Sequence, residues 1–243
     1  QMGLAEAPGG ENWGPRRTVA QMLGELRGSA REALNESDVS AQLFAVETSK
    51  TLSLIDLLLQ KHDVVVMNPP YGTITQEGSS LLDKAYKDTS DVFVVFVQRA
   101  LELVNFQGYV GALTSSTFLR YNTFKRFREE TLLSKGGLCT LADLGWGVLD
   151  DAHNETAAYV LAPSRFSEDA RVTFFRLTDS KDNISKQELF TQALRDFSDD
   201  DVLYKVPISR FSLLPNSPMC YYAPRKFIAR AVQSSVLSDF AFV

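Results

Sequence analysis

The chain has 243 residues, 44% of them apolar and 23% charged, a balance that supports a folded core and excludes a disordered tail. Its 25 basic and 30 acidic residues leave a net charge of −5, so composition does not announce a nucleic-acid binder, although an acidic chain can still carry a local basic face. No apolar run approaches the roughly 20 residues of a membrane span, and two widely spaced cysteines, Cys139 and Cys220, exclude a disulfide scaffold and suit a reducing cytoplasm.

Residues 1–14 are Gly/Pro-rich and patternless and read as a loose start or a cut edge. Pro15 then opens a helical pattern, with Val19, Met22, Leu23, Leu26 and Ala30 at helix spacing. A second helix is predicted over residues 39–59. The character changes at HDVVVM, residues 62–67, a β-branched run stopped by Asn68-Pro69-Pro70. Every position of 64–67 is apolar, which predicts a strand buried on both faces, as in a parallel sheet. A polar loop over 72–90 leads to a buried helix over 91–103. A strand follows at 108–114, then an amphipathic helix over 121–133 ended by Gly136-Gly137. The basic run Arg120, Lys125, Arg126 and Arg128 within it reads as a solvated helix face. Strands are predicted at 138–144, 157–162 and 172–177. From residue 180 the pattern weakens, leaving a short strand over 202–208, a helix over 224–236 and an apolar close at 240–243. This alternation predicts an α/β domain with a largely parallel sheet.

Asn68-Pro69-Pro70-Tyr71 is the segment that carries chemistry. Two prolines after a strand stiffen the backbone and remove two N–H donors, and the C-terminal edge of an open α/β sheet is where ligands settle. Methyl transfer to an exocyclic amine suits this arrangement, because such an amine is a poor nucleophile only while its lone pair is delocalised into the ring. Two acceptors aimed at its hydrogens, the Asn68 amide oxygen and the Pro69 carbonyl, draw the nitrogen toward tetrahedral geometry. Tyr71 offers a flat face to a base that has left its duplex. The plain alternative is a turn, since Asn-Pro and Pro-Pro both punctuate loops. The DVVV run ahead and the Tyr-Gly behind favour the functional loop.

HDVVVMNPPYG resembles the catalytic motif of amino-methyltransferases that use S-adenosylmethionine, in the subclass acting on N6 of adenine in DNA. Protein-glutamine and some ribosomal-RNA methyltransferases share the tetrapeptide, so the flanks discriminate. SDVFVVFVQRALELVNFQGYVGALTSSTFLRYNTFKRFREETLL is similar to the helix, strand and helix that follow catalysis in bifunctional type II restriction-modification methylases. LADLGWGVLDDAHNETAAYVLA resembles their next strand pair, with wording nearest the PglX-like methyltransferases of BREX and phage-growth-limitation systems. FSLLPNSPMCYYAPRKFIARA resembles the junction toward a target-recognition domain. The resemblance covers residues 52–240 or so. It implies a Rossmann-like fold with a mostly parallel sheet, S-adenosylmethionine as cofactor, double-stranded DNA with a flipped adenine as substrate, and possible defence-system protein partners in the cytoplasm.

Two departures qualify what the resemblance implies. Relatives carry a Gly-rich loop of the DPxxGSGxF type ahead of the catalytic motif, and nothing here matches it. The chain therefore reads as a piece lacking the cofactor-loop strands, inactive by itself, divided into a helical segment (1–50), a catalytic-motif part (51–178) and a connector (179–243). Where many relatives place an aromatic against the flipped adenine, this chain has Leu149. Trp146, three residues earlier, is the alternative base-binding candidate, against the plainer reading of a core or surface tryptophan. In relatives an acidic residue upstream of the catalytic strand meets the cofactor's adenine, which nominates Asp56, with a helix-surface aspartate as the even alternative. His62 and His153 have no partner at ligand spacing, and no metal is expected. Asp91 and the pair Ser115-Ser116 read as helix caps. Two further readings stay open: another NPPY enzyme acting on protein glutamine or RNA, or a degenerate module that binds DNA or a partner without catalysis.

Overall fold

A computed structural model describes residues 19–35, 38–149, 154–165, 167, 170–180, 182–196 and 201–233. The expectations for residues 1–14, His153 and 240–243 lie outside them. Residues Gln1–Gln60 and Lys61–Val243 form two compact units. In the first, α1 (Val19–Ala33) and α2 (Val39–Leu59) are helices, and the Asp38 carboxylate caps α2 by accepting from the Ser40 amide at 2.9 Å.

The second unit is built on one six-stranded sheet, ordered β1-β2-β4-β3-β5-β6. These strands are β1 (His62–Met67), β2 (Val104–Ser115), β3 (Leu138–Gly145), β4 (Thr156–Leu161), β5 (Arg171–Arg176) and β6 (Leu203–Pro207). β1 pairs with β2 and β3 with β5 in parallel, while β4 inserts antiparallel between β2 and β3 and β6 runs antiparallel at the far edge. Four of the six strands thus point the same way. Their C-terminal ends share one edge of the sheet.

The helices are α3 (Gln76–Leu82), α4 (Val92–Leu103), α5 (Asn183–Arg195) and α6 (Arg225–Gln233). α4 lies against the sheet with Phe93, Val94, Val97 and Ala100 buried, and Phe93 meets the rings of Phe118, Phe124 and Phe127. This aromatic cluster is the main core. α5 covers the opposite face only near β5, where Phe175, Leu177 and Ala193 make a smaller core. Residues 72–90 are not all loop, because α3 forms within them, started by the Thr75 hydroxyl accepting from the Gly78 amide. No helix among the described residues is long and apolar enough to cross a membrane.

Three expectations are corrected. The strand 62–67 is not buried on both faces: Val64 is 59% and Val66 79% exposed, because no helix among the described residues covers that face of the sheet at β1. The helix over 121–133 divides into a 3₁₀ turn, Asn122–Phe124, and a π-helical segment, Phe127–Lys135. Its wide last turn closes with the Gly136 amide donating to the Thr131 carbonyl at 2.7 Å. Nor is the basic run wholly a solvated face, since Arg128 is fully buried. Its guanidinium donates to the carbonyls of Phe118, Tyr121, Asn216 and Ser217, and burial pulls its pKa down. Arg120 and Arg126 do stay at the surface, paired with Glu155 and Glu130.

Candidate active site

The tetrapeptide begins where β1 ends. Met67 is in register with Ala112 of β2, and Asn68 leaves the sheet one step further, exposed, while Pro69 is buried and Pro70 exposed. The Asn68 amide makes no hydrogen bond to another described residue, so it is available at the sheet edge. Tyr71 is half-buried with its hydroxyl turned inward and unpartnered. Burial raises the pKa of that phenol, so at neutral pH the ring is uncharged.

What holds the loop is Asp91, the N-cap of α4. One carboxylate oxygen accepts from the Gly72 amide at 3.1 Å and from the Phe93 amide at 3.2 Å. In return the Val92 amide donates to the Gly72 carbonyl at 3.0 Å. Gly72 sits at φ +140, a conformation that side chains disfavour. The loop that carries Asn68 is thereby stapled to the first turn of a core helix. Sequence reading found the cap but not its second ligand, which lies nineteen positions away and leaves no local pattern.

The rest of the same edge is framed by the ends of β2, β4 and β3, where Ser115 faces Thr156 and Thr156 faces Gly145 in register. Ser115 caps the following turn by accepting from the Thr117 amide, as expected. Arg120, just beyond, pairs with Glu155 at 2.5 Å. Asp143 is buried on β3; one oxygen accepts from the Tyr221 hydroxyl at 2.9 Å and the other has no partner. Burial pushes its carboxyl above the usual range, with the Tyr221 bond opposing.

Trp146 follows β3 and is 57% exposed, so of its two plain readings the surface one holds. Gly145 and Gly147 flank it at φ +65 and +78. Leu149 is half-buried. Asn68 and Trp146 leave the sheet at the same edge, separated by β2 and β4, which is three strand spacings or about 14 Å. Asp56 belongs to the helical unit, where its carboxylate takes an ion pair from Arg27. No group of three or more potential metal ligands occurs among the described residues.

The Eco57I restriction-modification methylase family matches residues 19–147, a span that contains the tetrapeptide, its Asp91 staple and Trp146. The chain belongs to this family. Over 176 residues it is 26% identical to the adenine-specific methyltransferase PglX of Lacticaseibacillus casei, a match over 70% of this chain and 14% of that protein. It is also 26% identical, over 200 residues, to the adenine-specific methyltransferase BrxX of Escherichia coli, over 79% of this chain and 16% of that protein. The chain thus spans about one-seventh of the length of these relatives. Among solved structures, the methyltransferase subunit of a type I restriction-modification system from Streptococcus thermophilus superposes with a TM-score of 0.52 at 15% identity, over 67% of this chain and 38% of that one. The Eco57I-family chain therefore has a Rossmann-like α/β fold.

Proposed function

We propose that this Eco57I-family chain carries the target-amine site of a DNA adenine-N6 methyltransferase of a restriction-modification or phage-defence system. The observation that carries the reading is an exposed Asn68 amide beside a rigid Pro69-Pro70 step at the C-terminal end of β1, stapled through Gly72 to Asp91. In this proposal Asn68 Oδ1 and the Pro69 carbonyl accept the two hydrogens of adenine N6, and Tyr71 stacks on the base. Stacking makes a flipped adenine in double-stranded DNA the substrate. Trp146 is the second base-contacting residue.

S-adenosylmethionine is the methyl donor in this reading, and it would supply the electrophilic methyl group. The described residues do not make a cradle for it. Asp56, the nominated contact, is engaged by Arg27, and no Gly-rich turn precedes β1 in the sequence. The 243 residues by themselves are therefore proposed to support no turnover. Catalysis is assigned to a polypeptide that adds a cofactor loop.

Transfer of labelled methyl groups from S-adenosylmethionine to DNA, followed by nucleoside analysis, tests the proposal. A polypeptide containing this chain and a cofactor loop should form N6-methyladenine. Asn68→Ala should lower turnover by about 10²-fold, as the loss of one preorganised polarising group does. Unchanged methylation in that variant sinks the site, and methylation by the 243 residues alone sinks the claim that they are insufficient.

A further inference from the structure

Lys186 of α5 is 96% buried, with 4% of its surface exposed. Ammonium groups seldom occupy such positions unless they are paired, because they give up hydration that a protein interior does not replace. Among the described residues Lys186 forms no ion pair. Its ammonium instead donates to the main-chain carbonyl of Trp146, forty positions earlier. Desolvation by its surroundings draws its pKa down, with Asp182 opposing.

The turn it reaches is doubly hinged. Gly145 and Gly147 both adopt positive φ, and a side chain at Gly145 would come within 3.2 Å of the Thr178 backbone. The Thr156 hydroxyl donates to the Gly145 carbonyl at 3.4 Å. Two glycines alone would let the backbone at Trp146 swing; the hydrogen bond from Lys186 to the carbonyl between them restrains the main chain that carries the indole. The indole itself stays 57% exposed. A large flat apolar ring thus faces solvent from a backbone tied to a buried charge.

We infer that Lys186 is a positioning residue that fixes Trp146 as a rigid stacking platform for a nucleobase at the C-terminal edge of the sheet. The inference rests on the DNA reading above and deepens it, because it assigns to α5, outside the family match of residues 19–147, a part in holding the base. A preset aromatic binds better than a mobile one because less conformational entropy is lost on contact.

The test uses the 243-residue chain with Trp13→Phe, which leaves Trp146 as the sole tryptophan. Its emission is followed during titration with a short mixed-sequence single-stranded oligodeoxynucleotide, and with an abasic strand of equal length. Base-aromatic stacking gives the base-bearing strand its advantage, and Lys186→Met should weaken binding of that strand about fivefold. The abasic strand should be unaffected and Lys186→Arg should restore binding. In a Trp146→Ala background, read by anisotropy of a labelled strand, Lys186→Met should cost nothing further. A Lys186→Met effect that is equal on both strands, or that persists without Trp146, overturns the inference and leaves the DNA reading intact. Equal binding of the two strands by the unsubstituted chain does the same. Binding of neither strand overturns both. Should Lys186→Met fail to fold, Lys186→Leu, which is shorter and likewise cannot donate to the Trp146 carbonyl, carries the test, and the same selective loss is expected.

Discussion

At the scale of single residues, the site edge contains polar atoms that the fold leaves incompletely satisfied. The Tyr71 hydroxyl is buried without a partner, so Tyr71→Phe removes a desolvated group and keeps the ring. A buried unpaired hydroxyl costs about 1–3 kcal/mol, and urea denaturation should therefore find the Phe variant as stable as wild type or more so. Tyr71→Ala, which strips half-buried packing, should be less stable by about 1–2 kcal/mol. A Phe variant clearly below wild type would mean that the hydroxyl has a bonding partner. Asp143 gives a pH signature. Its folded-state pKa is raised by burial, so the charged form opposes folding at neutral pH, and stability rises as pH falls through the raised pKa toward the ordinary value of 3.8. Asp143→Asn keeps an acceptor for Tyr221 and removes the charge. Thermal unfolding should show the Asn variant ahead of wild type at pH 7, with the gap closing toward pH 4. A gap that widens on acidification contradicts the sign.

At the scale of elements, a helix start and the loop that follows the tetrapeptide share one carboxylate. The capping reading of Asp91 was available from its place before a helical run, whereas the Gly72 bond needs β1 and α4 to be neighbours. Asp91→Ala should destabilise the fold by about 1 kcal/mol, as other lost N-caps do. It should also free the Gly72 amide, whose hydrogen-exchange protection is expected to fall about tenfold for a bond of this strength. Asp91→Asn keeps an acceptor and should keep the protection. The control is Asp38→Ala, which removes the cap of α2 without touching the loop. If that substitution deprotects Gly72 equally, the staple is not specific. The π-helical segment is a second case of an element whose form is set from outside. Arg128 is drawn inward by four carbonyls, two of them from Asn216 and Ser217, and no local spacing announces partners eighty-eight and eighty-nine positions away.

At the scale of the whole molecule, the sheet is dressed unevenly. α4 and the aromatic cluster cover one face, while on the other an open apolar trough of about 630 Å³ includes Val66, Gly111, Leu113, Ala158, Val160 and Phe190. Together with the free side of β1, this is the kind of surface that drives edge-to-edge association. Val66→Lys places a charge at the most exposed of the β1 valines. Light scattering should show the substituted chain staying monomeric to a higher concentration, with a change in unfolding free energy inside the roughly ±0.5 kcal/mol of an ordinary surface change. An unchanged onset of association would locate the adhesive surface elsewhere.

Local chemistry was enough to read most of the elements and to single out Asn68-Pro69-Pro70-Tyr71 as the candidate site. β-branched runs, helix spacing and the Asn-Pro-Pro stop are properties of neighbours along the chain, and they marked β1, α4, β3 and β4 within a residue or two. The resemblance carried by HDVVVMNPPYG pointed to the family that residues 19–147 match. What only the tertiary structure decided depends on which elements end up side by side. An all-apolar strand looks the same whether its second face is covered or open, so the exposure of Val64 and Val66 followed from which face of the sheet the helices cover. Lys186 lies in a stretch whose apolar pattern is weak, and an isolated lysine there reads as a solvated charge. Its role exists only because α5 packs where the β3 loop turns, bringing an ammonium and a carbonyl together across forty residues.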